Sequence, residues 1–119
     1  MNILVTGKNG QLGCEIQDLA INSQHNFIFA DSSECNIHNL ESIEANVILN
    51  KIDSIINCAA YTAVDSAEDN EMDALQTNLF GVSNIDKIAV KHNLSYIHIS
   101  TDYVFDGTKT SPYQPADAT

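Results

Sequence analysis

The chain has no arginine and no tryptophan, and only two prolines, five glycines and three cysteines among its 119 residues. Each shortage excludes something. All five basic residues are lysines (Lys8, Lys51, Lys87, Lys91 and Lys109), set against sixteen aspartates and glutamates for a formal net charge of −11. So acidic a surface repels phosphate backbones, which argues against a nucleic-acid partner. No apolar run approaches the ~18 residues of a membrane span, which argues against a membrane partner. The opening Met1-Asn2-Ile3-Leu4-Val5 lacks the basic stretch that begins a signal peptide, so the expected location is cytoplasmic. Cys14, Cys35 and Cys58 are odd in number and without C-x-x-C spacing, and His25, His38, His92 and His98 show no partnering spacing either. That pattern predicts buried thiols in a reducing compartment and no metal site. The acidic run Asp65, Glu68, Asp69, Glu71 and Asp73 reads as a solvated loop and helix start, where carboxylates suit the positive end of the dipole.

What is present is ordinary for a folded chain: 44% hydrophobic and 18% charged residues, in a length that fits one domain over residues 1–119. Ile3-Leu4-Val5-Thr6 is a short apolar run ended by glycine, as expected of a fully buried parallel strand. From Gly10 to about Ser23, Leu12, Ile16, Leu19 and Ala20 recur at helical spacing. Phe27-Ile28-Phe29-Ala30 is a second strand, stopped at Asp31. Leu40, Ile43 and Val47 mark a second helix, and Ile55-Ile56 leads into Asn57-Cys58-Ala59-Ala60 as a third strand and its exit. One long helix is expected from about Glu71 to His92, with Leu75, Leu79, Val82, Ile85, Ile88 and Ala89 on one side. Tyr96-Ile97-His98-Ile99 is a fourth strand, with Ser100-Thr101-Asp102 at its end. Alternating strands and helices predict an α/β fold with a doubly wound parallel sheet and right-handed crossovers. From Gly107 to Thr119, with Pro112 and Pro115, the sequence reads as loop, so the sheet is expected to be cut short after about four strands.

Gly7, Gly10 and Gly13 form G-x-x-G-x-x-G directly between the first strand and the first helix. The first glycine permits a tight turn, the second lets backbone approach a pyrophosphate, and the third allows close helix packing. The helix start then offers free N–H groups to phosphates. Lys8 inside the loop reads as a solvated lysine. Asp31 closes the second strand 18 residues after Gly13, where an acidic side chain in a dinucleotide site accepts bonds from the adenosine ribose. A 2′-phosphate there would meet Asp31 with no arginine to receive it, although Ser32, Ser33 and backbone amides offer hydrogen bonds. The expected cofactor is NADH or NADPH, with NADH favoured.

Three segments together carry a family resemblance: Gly7-Lys8-Asn9-Gly10-Gln11-Leu12-Gly13, Asn57-Cys58-Ala59-Ala60-Tyr61-Thr62-Ala63-Val64-Asp65-Ser66-Ala67-Glu68, and Ser100-Thr101-Asp102-Tyr103-Val104-Phe105-Asp106-Gly107. In order and across essentially the whole chain, they resemble the N-terminal part of the dTDP-4-dehydrorhamnose reductases. These are extended short-chain dehydrogenase/reductases of Rossmann-like fold. The resemblance implies NAD(P)H-dependent reduction of the 4-keto group of a nucleotide-linked 6-deoxysugar, giving dTDP-L-rhamnose. By matching position, Gly10, Gln11 and Leu12 meet the pyrophosphate, Asp31 the adenosine ribose, and Asn36-Ile37 the adenine. The family has Asp where this chain has Asn36. Ala59, Ala60, Tyr61 and Thr62 line the cofactor. Thr101 donates a hydrogen bond to the reacting carbonyl or its oxyanion, with Asp102 beside the sugar. Asn78 and Gly81 match an N-x-x-G element that supports the site's backbone or water network.

The family's chemistry also uses Tyr-x-x-x-Lys, and none of Tyr61, Tyr96, Tyr103 and Tyr113 has lysine four residues on. The 119-residue chain by itself is therefore expected to supply the cofactor-binding part and to lack turnover. Its uncovered sheet edge and faces are expected to give either marginal stability or association through that edge. Two other readings stay open on these residues. One is a non-catalytic NAD(P)-binding module resembling the methionine adenosyltransferase regulatory subunit. The other is a different extended short-chain dehydrogenase/reductase, such as a nucleotide-sugar epimerase. An assay of residues 1–119 with dTDP-4-keto-6-deoxysugar and NADH is expected to show no product; measurable reduction would overturn that expectation.

Overall fold

Short segments rich in β-branched and aromatic residues form the strands: β1 (Asn2–Thr6), β2 (Asn26–Ala30), β3 (Ser54–Asn57) and β4 (Ser95–His98). The structure is a computed structural model, and it describes residues 1–119 apart from the side chain of Asp102. All pairings are parallel and the sheet order is β2-β1-β3-β4. β1 is central, and its Ile3, Leu4, Val5 and Thr6 are all buried, which explains why it reads as an unbroken apolar run.

Register decides the two faces. Leu4 lies opposite Ile28 on one side and Ile55 on the other, and Ile55 lies opposite Tyr96. That row joins a single core with Ile43 and Val47 of α2 (Leu40–Asn50) and Ile85 and Ile88 of α5 (Val82–His92). β2, β3 and β4 advance in one direction across the sheet, so right-handed crossovers put α2 and α5 together on this face. The step from β1 to β2 runs the opposite way and carries α1 (Gln11–Ala20) to the other face. The sheet is thus wound on both sides, as the residue pattern implies. Among the described residues, no helix is long and apolar enough to cross a membrane.

Local chemistry sets the helix limits. Asn39 caps α2, its side-chain oxygen accepting from the amides of Glu41 at 2.8 Å and Ser42 at 3.4 Å. α5 stops where Asn93 turns left-handed at φ 54°. The stretch expected as one helix from Glu71 to His92 is interrupted. Between α4 (Glu71–Leu75) and α5 lies a π-helical segment, Gln76–Gly81. The segment ends in a close approach at Gly81, where a Cβ would stand 2.7 Å from Ile37 Cδ1 and 3.2 Å from the Gln76 carbonyl. The helix backbone rests directly on the segment following β2, and the wider turn lets α5 keep Ile85, Ile88 and Ala89 on the core. Leu79, expected on the apolar stripe, is exposed as a result.

Three smaller expectations need correcting. The acidic run forms a short helix, α3 (Val64–Asp69), and the start of α4, with no buried residue in either. Cys35 is buried, but Cys58 is half-buried and Cys14 exposed, so the cysteines are not uniformly core residues. Lys8 is ion-paired rather than free in solvent. The tail has local order of its own: Phe105 and Tyr113 stack at 4.3 Å, and the Tyr113 hydroxyl donates to Asp106 at 3.0 Å.

Glu44 on α2 clips the two core helices together, meeting Lys91 Nζ at 2.6 Å and His92 Nε2 at 2.7 Å. The Lys91 and His92 side chains hold its carboxyl below the ordinary 4.5. A carboxylate with a lowered folded-state pKa contributes stability above that ordinary value and loses it as pH falls through the folded value. Urea midpoints of Glu44→Gln are therefore expected to match the parent more closely as pH drops below 4.5 than at neutral pH, where the parent is the more stable. A constant difference across that window would show that the clip is silent.

Candidate functional site

β1 is flanked by β2 on one side and β3 on the other, so the chains leaving β1 and β3 diverge and open a crevice at their carboxyl ends. A buried polar bond fixes those two ends. Thr6 Oγ1 donates to Asn57 Oδ1 at 2.6 Å, and the same oxygen accepts the Ala59 amide at 3.2 Å. Asn57 Nδ2 pairs with His98 Nδ1 at 3.1 Å, which ties in the end of β4.

The three glycines then do different work. Gly7 has φ +74°, and a Cβ there would lie 2.6 Å from the Ala59 nitrogen, so the turn presses against the exit of β3. A Cβ on Gly13 would lie 2.8 Å from Lys8 Cα, so the helix start presses against the loop. Gly10 is different. A Cβ there would touch only the Gly7 carbonyl, at an ordinary 3.4 Å, and its outer side is open. Gly10 N donates to Gly7 O at 3.0 Å, and the first helical bond is Cys14 N to Gly10 O at 2.9 Å. The amides of Gln11, Leu12 and Gly13 therefore sit at the helix N-terminus ahead of the first bond. α1 has no side-chain cap and no acidic residue in its first turn, whereas α2 has both.

A cleft of about 320 Å³ opens beside this turn. Of the residues singled out from sequence, Gly7, Gly10, Asp31, Asn36, Ile37, Ala59 and Ala60 line it. Gln11 and Leu12 are exposed beyond Gly10, while Gly13 is buried under the loop. Asp31 Oδ1 accepts from Ser33 Oγ at 2.6 Å and Ser33 N at 2.9 Å, and Oδ2 faces Lys8 Nζ and Asn9 Nδ2 at 3.4 Å each. The Ser33 hydroxyl and amide, assisted by the Lys8 charge, hold the Asp31 carboxyl down to about 2, so it is ionised at any working pH. Asn36 Oδ1 accepts the His38 amide at 2.9 Å. Burial pushes the Cys35 thiol up to about 11, which makes it an inert wall of the cleft.

Tyr61 and Thr62 do not line the cleft, but the π-helical segment holds their loop from behind. Asn78 brackets Tyr61, accepting its amide at 2.8 Å and donating to its carbonyl at 3.0 Å. Asn78, expected to support the site's backbone or water network, thus makes a two-point clamp on the Tyr61 backbone. Thr101 lies apart from the cleft, where its hydroxyl accepts the Tyr103 amide at 3.2 Å at the start of the 3₁₀ turn Asp102–Val104. The Asp102 side chain lies outside the described residues. Sequence reading passed over Thr6, Asn9, Glu34, His38, Asn57 and Thr77. Only Thr6 and Asn57 left a trace, each as a polar residue closing an apolar strand; the others are ordinary loop and helix polar residues until the fold brings them together. Among the described residues, no group of three or more His, Cys, Asp or Glu is placed to hold a metal ion.

Three substitutions test this arrangement. Asn57→Ala strands the Thr6 hydroxyl and the Ala59 amide, and is expected to cost about 1–3 kcal/mol in urea unfolding. Gly13→Ala forces the helix start off Lys8 and is expected to destabilise by about 1–3 kcal/mol, the usual cost of overpacking. Gly10→Ala, with room for its methyl, is expected to leave stability within about 1 kcal/mol of the parent. Equal losses at Gly10 and Gly13 would contradict the division of roles.

Comparison with known proteins agrees with this fold. The chain is 39% identical over 116 residues to the dTDP-4-dehydrorhamnose reductase of Aggregatibacter actinomycetemcomitans, covering 97% of this chain and 40% of that protein. It is 41% identical over 120 residues to that of Burkholderia thailandensis, covering 100% of this chain and 40% of the relative. It thus spans about two-fifths of the length of these curated relatives. Among solved structures, the dTDP-4-dehydrorhamnose reductase of Clostridium acetobutylicum superposes with TM-score 0.93 at 38% identity, over 98% of this chain and 42% of that one. The Bacillus anthracis enzyme, solved in complex with NADP, superposes with TM-score 0.86 at 32% identity, over 92% and 39%. The model of the RmlD substrate binding domain matches residues 1–119 from end to end, and the chain belongs to that family.

Proposed function

We propose that this chain is the dinucleotide-binding part of a reductase that converts dTDP-4-dehydrorhamnose to dTDP-L-rhamnose, and that it holds NADH in preference to NADPH. The observation that carries this reading is the uncapped start of α1. A helix in so acidic a chain leaves its first amides without a side-chain partner, beside a glycine whose outer side is open, while the neighbouring α2 is capped by its own Asn39. Such a terminus is complementary to a pyrophosphate. The residues also fit the rest of the group. Gln11 and Leu12 offer amides to the two phosphates, Gly10 gives the backbone room for their approach, Asp31 Oδ2 faces the place of the adenosine ribose, and Asn36 and Ile37 form the far wall for the base. Ala59, Ala60, Tyr61 and Thr62 continue along the β3 exit toward the nicotinamide end. When bound, the nicotinamide supplies the hydride that reduces the keto carbon.

The chain's own contribution to the chemistry is positional. Thr101, three residues beyond β4, carries a hydroxyl at the carboxyl end of the sheet, where ligands of open α/β sheets bind. We assign it to hydrogen-bond the sugar carbonyl, and Asp102 to the sugar beside it. The preference for NADH rests on Asp31, which is ionised and suited to a ribose diol, and on the absence of arginine to receive a 2′-phosphate.

Titration of the ¹⁵N-labelled chain with each dinucleotide tests the proposal. The amide resonances of Gln11, Leu12 and Gly13 are expected to shift on saturation, with NADH binding more tightly than NADPH. Resonances that stay still in a folded sample would overturn the cofactor reading; tighter NADPH binding would overturn the preference alone.

A further inference from the structure

Lys8 presents an unusual situation. It is the one lysine in the glycine loop of a chain with no arginine, and the natural cation to receive a cofactor's charge. Yet its ammonium is committed elsewhere. Nζ lies 2.5 Å from Glu34 Oε2 and a looser 3.4 Å from Asp31 Oδ2. Glu34 is held in place in turn, because the same Oε2 accepts the Asp31 amide at 3.0 Å. The sequence Asp31-Ser32-Ser33-Glu34 thus folds back so that both carboxylates face Lys8, with Ser33 N and Oγ on the other Asp31 oxygen. One ammonium against two carboxylates leaves a net charge of −1 at the mouth of the cleft that Asp31 and Ser32 line.

We infer that Glu34 is a specificity-determining residue, which selects against a 2′-phosphorylated dinucleotide by drawing Lys8 away from the ribose end of the site. The inference rests on the cofactor reading above and assigns a cause to its preference. Glu34 need not touch the dinucleotide. It acts through Lys8, and is a positioning residue in that sense. With Glu34 ionised, a 2′-phosphate entering beside Asp31 meets a site already negative, and the nearby cation is satisfied at short range. A 2′-hydroxyl carries no charge and needs only the outward lone pairs of Asp31 Oδ2, whose contacts with Lys8 and Asn9 are long enough at 3.4 Å to yield. With Glu34 neutral, the site has no net charge, and the lysine is free to turn onto the phosphate in a charge-assisted bond.

The test is a double-mutant cycle read as dissociation constants for NADH and NADPH on the full 119-residue chain, with circular dichroism confirming the fold of each variant. Glu34→Gln keeps an oxygen to accept the Asp31 amide while removing the charge. It is expected to tighten NADPH by about tenfold, the size of one charge-assisted hydrogen bond, and to change NADH by less than about twofold. Lys8→Met is expected to weaken NADPH, and in the Lys8→Met background Glu34→Gln is expected to lose most of its gain. A general loosening of the loop would move both dinucleotides together and would survive in that background. An unchanged NADH-to-NADPH ratio in Glu34→Gln, or a gain that persists without Lys8, overturns the inference while leaving the cofactor reading intact. Failure of the parent chain to bind either dinucleotide overturns both.

Discussion

The chain leaving β1 must pass the chain leaving β3 at van der Waals distance, and most of what this molecule presents to solvent at that end follows from this constraint. Only glycine passes at position 7, where any side chain would run into the backbone of Cys58 and Ala59. The approach is held by a buried bond rather than by apolar packing. Thr6 and Asn57, each about 1% exposed, close the two strands with a side-chain pair that also satisfies the Ala59 amide and reaches His98. Buried polar groups are tolerated only when paired, so this knot fixes the relative height of the strand ends as a purely apolar contact would not.

Around that knot the molecule uses two helix starts in opposite ways. Asn39 and Glu41 spend their side chains on the α2 terminus, which is thereby finished as structure. The α1 terminus has Gly10 in place of a capping residue, so its first amides have no side-chain partner. In a chain of net charge −11, the one lysine of the glycine loop is paired with two carboxylates rather than left free. Lys8, Asp31 and Glu34 come from two turns that meet because β1 and β2 are neighbours with Thr6 opposite Ala30.

The two faces of the sheet are unequal. α2 and α5 cover one with a continuous core, and α1 alone serves the other, where Ile97 and Leu19 remain exposed at 52% and 77%. β4 is an edge strand with only Tyr96 partly covered. The functional end and the well-packed face are coupled through the π-helical segment, since the turn that seats Gly81 on Ile37 also aims Asn78 at Tyr61.

Strand identity, the two-sided winding and the glycine turn were legible in the residues themselves, because each follows from short-range rules. Four apolar runs separated by helical periods permit little other than a parallel sheet, and three glycines at that junction have steric consequences that any fold must respect. Asp31 was legible for the same reason, as an acid closing a strand. The π-helical break, the exposure of Leu79 and Cys14, the capture of Lys8 by Glu34 and the Thr6–Asn57–His98 knot were not. Each depends on which distant segments become neighbours, and the sheet order β2-β1-β3-β4 that decides this is set by the summed burial of whole faces rather than by any one stretch of sequence.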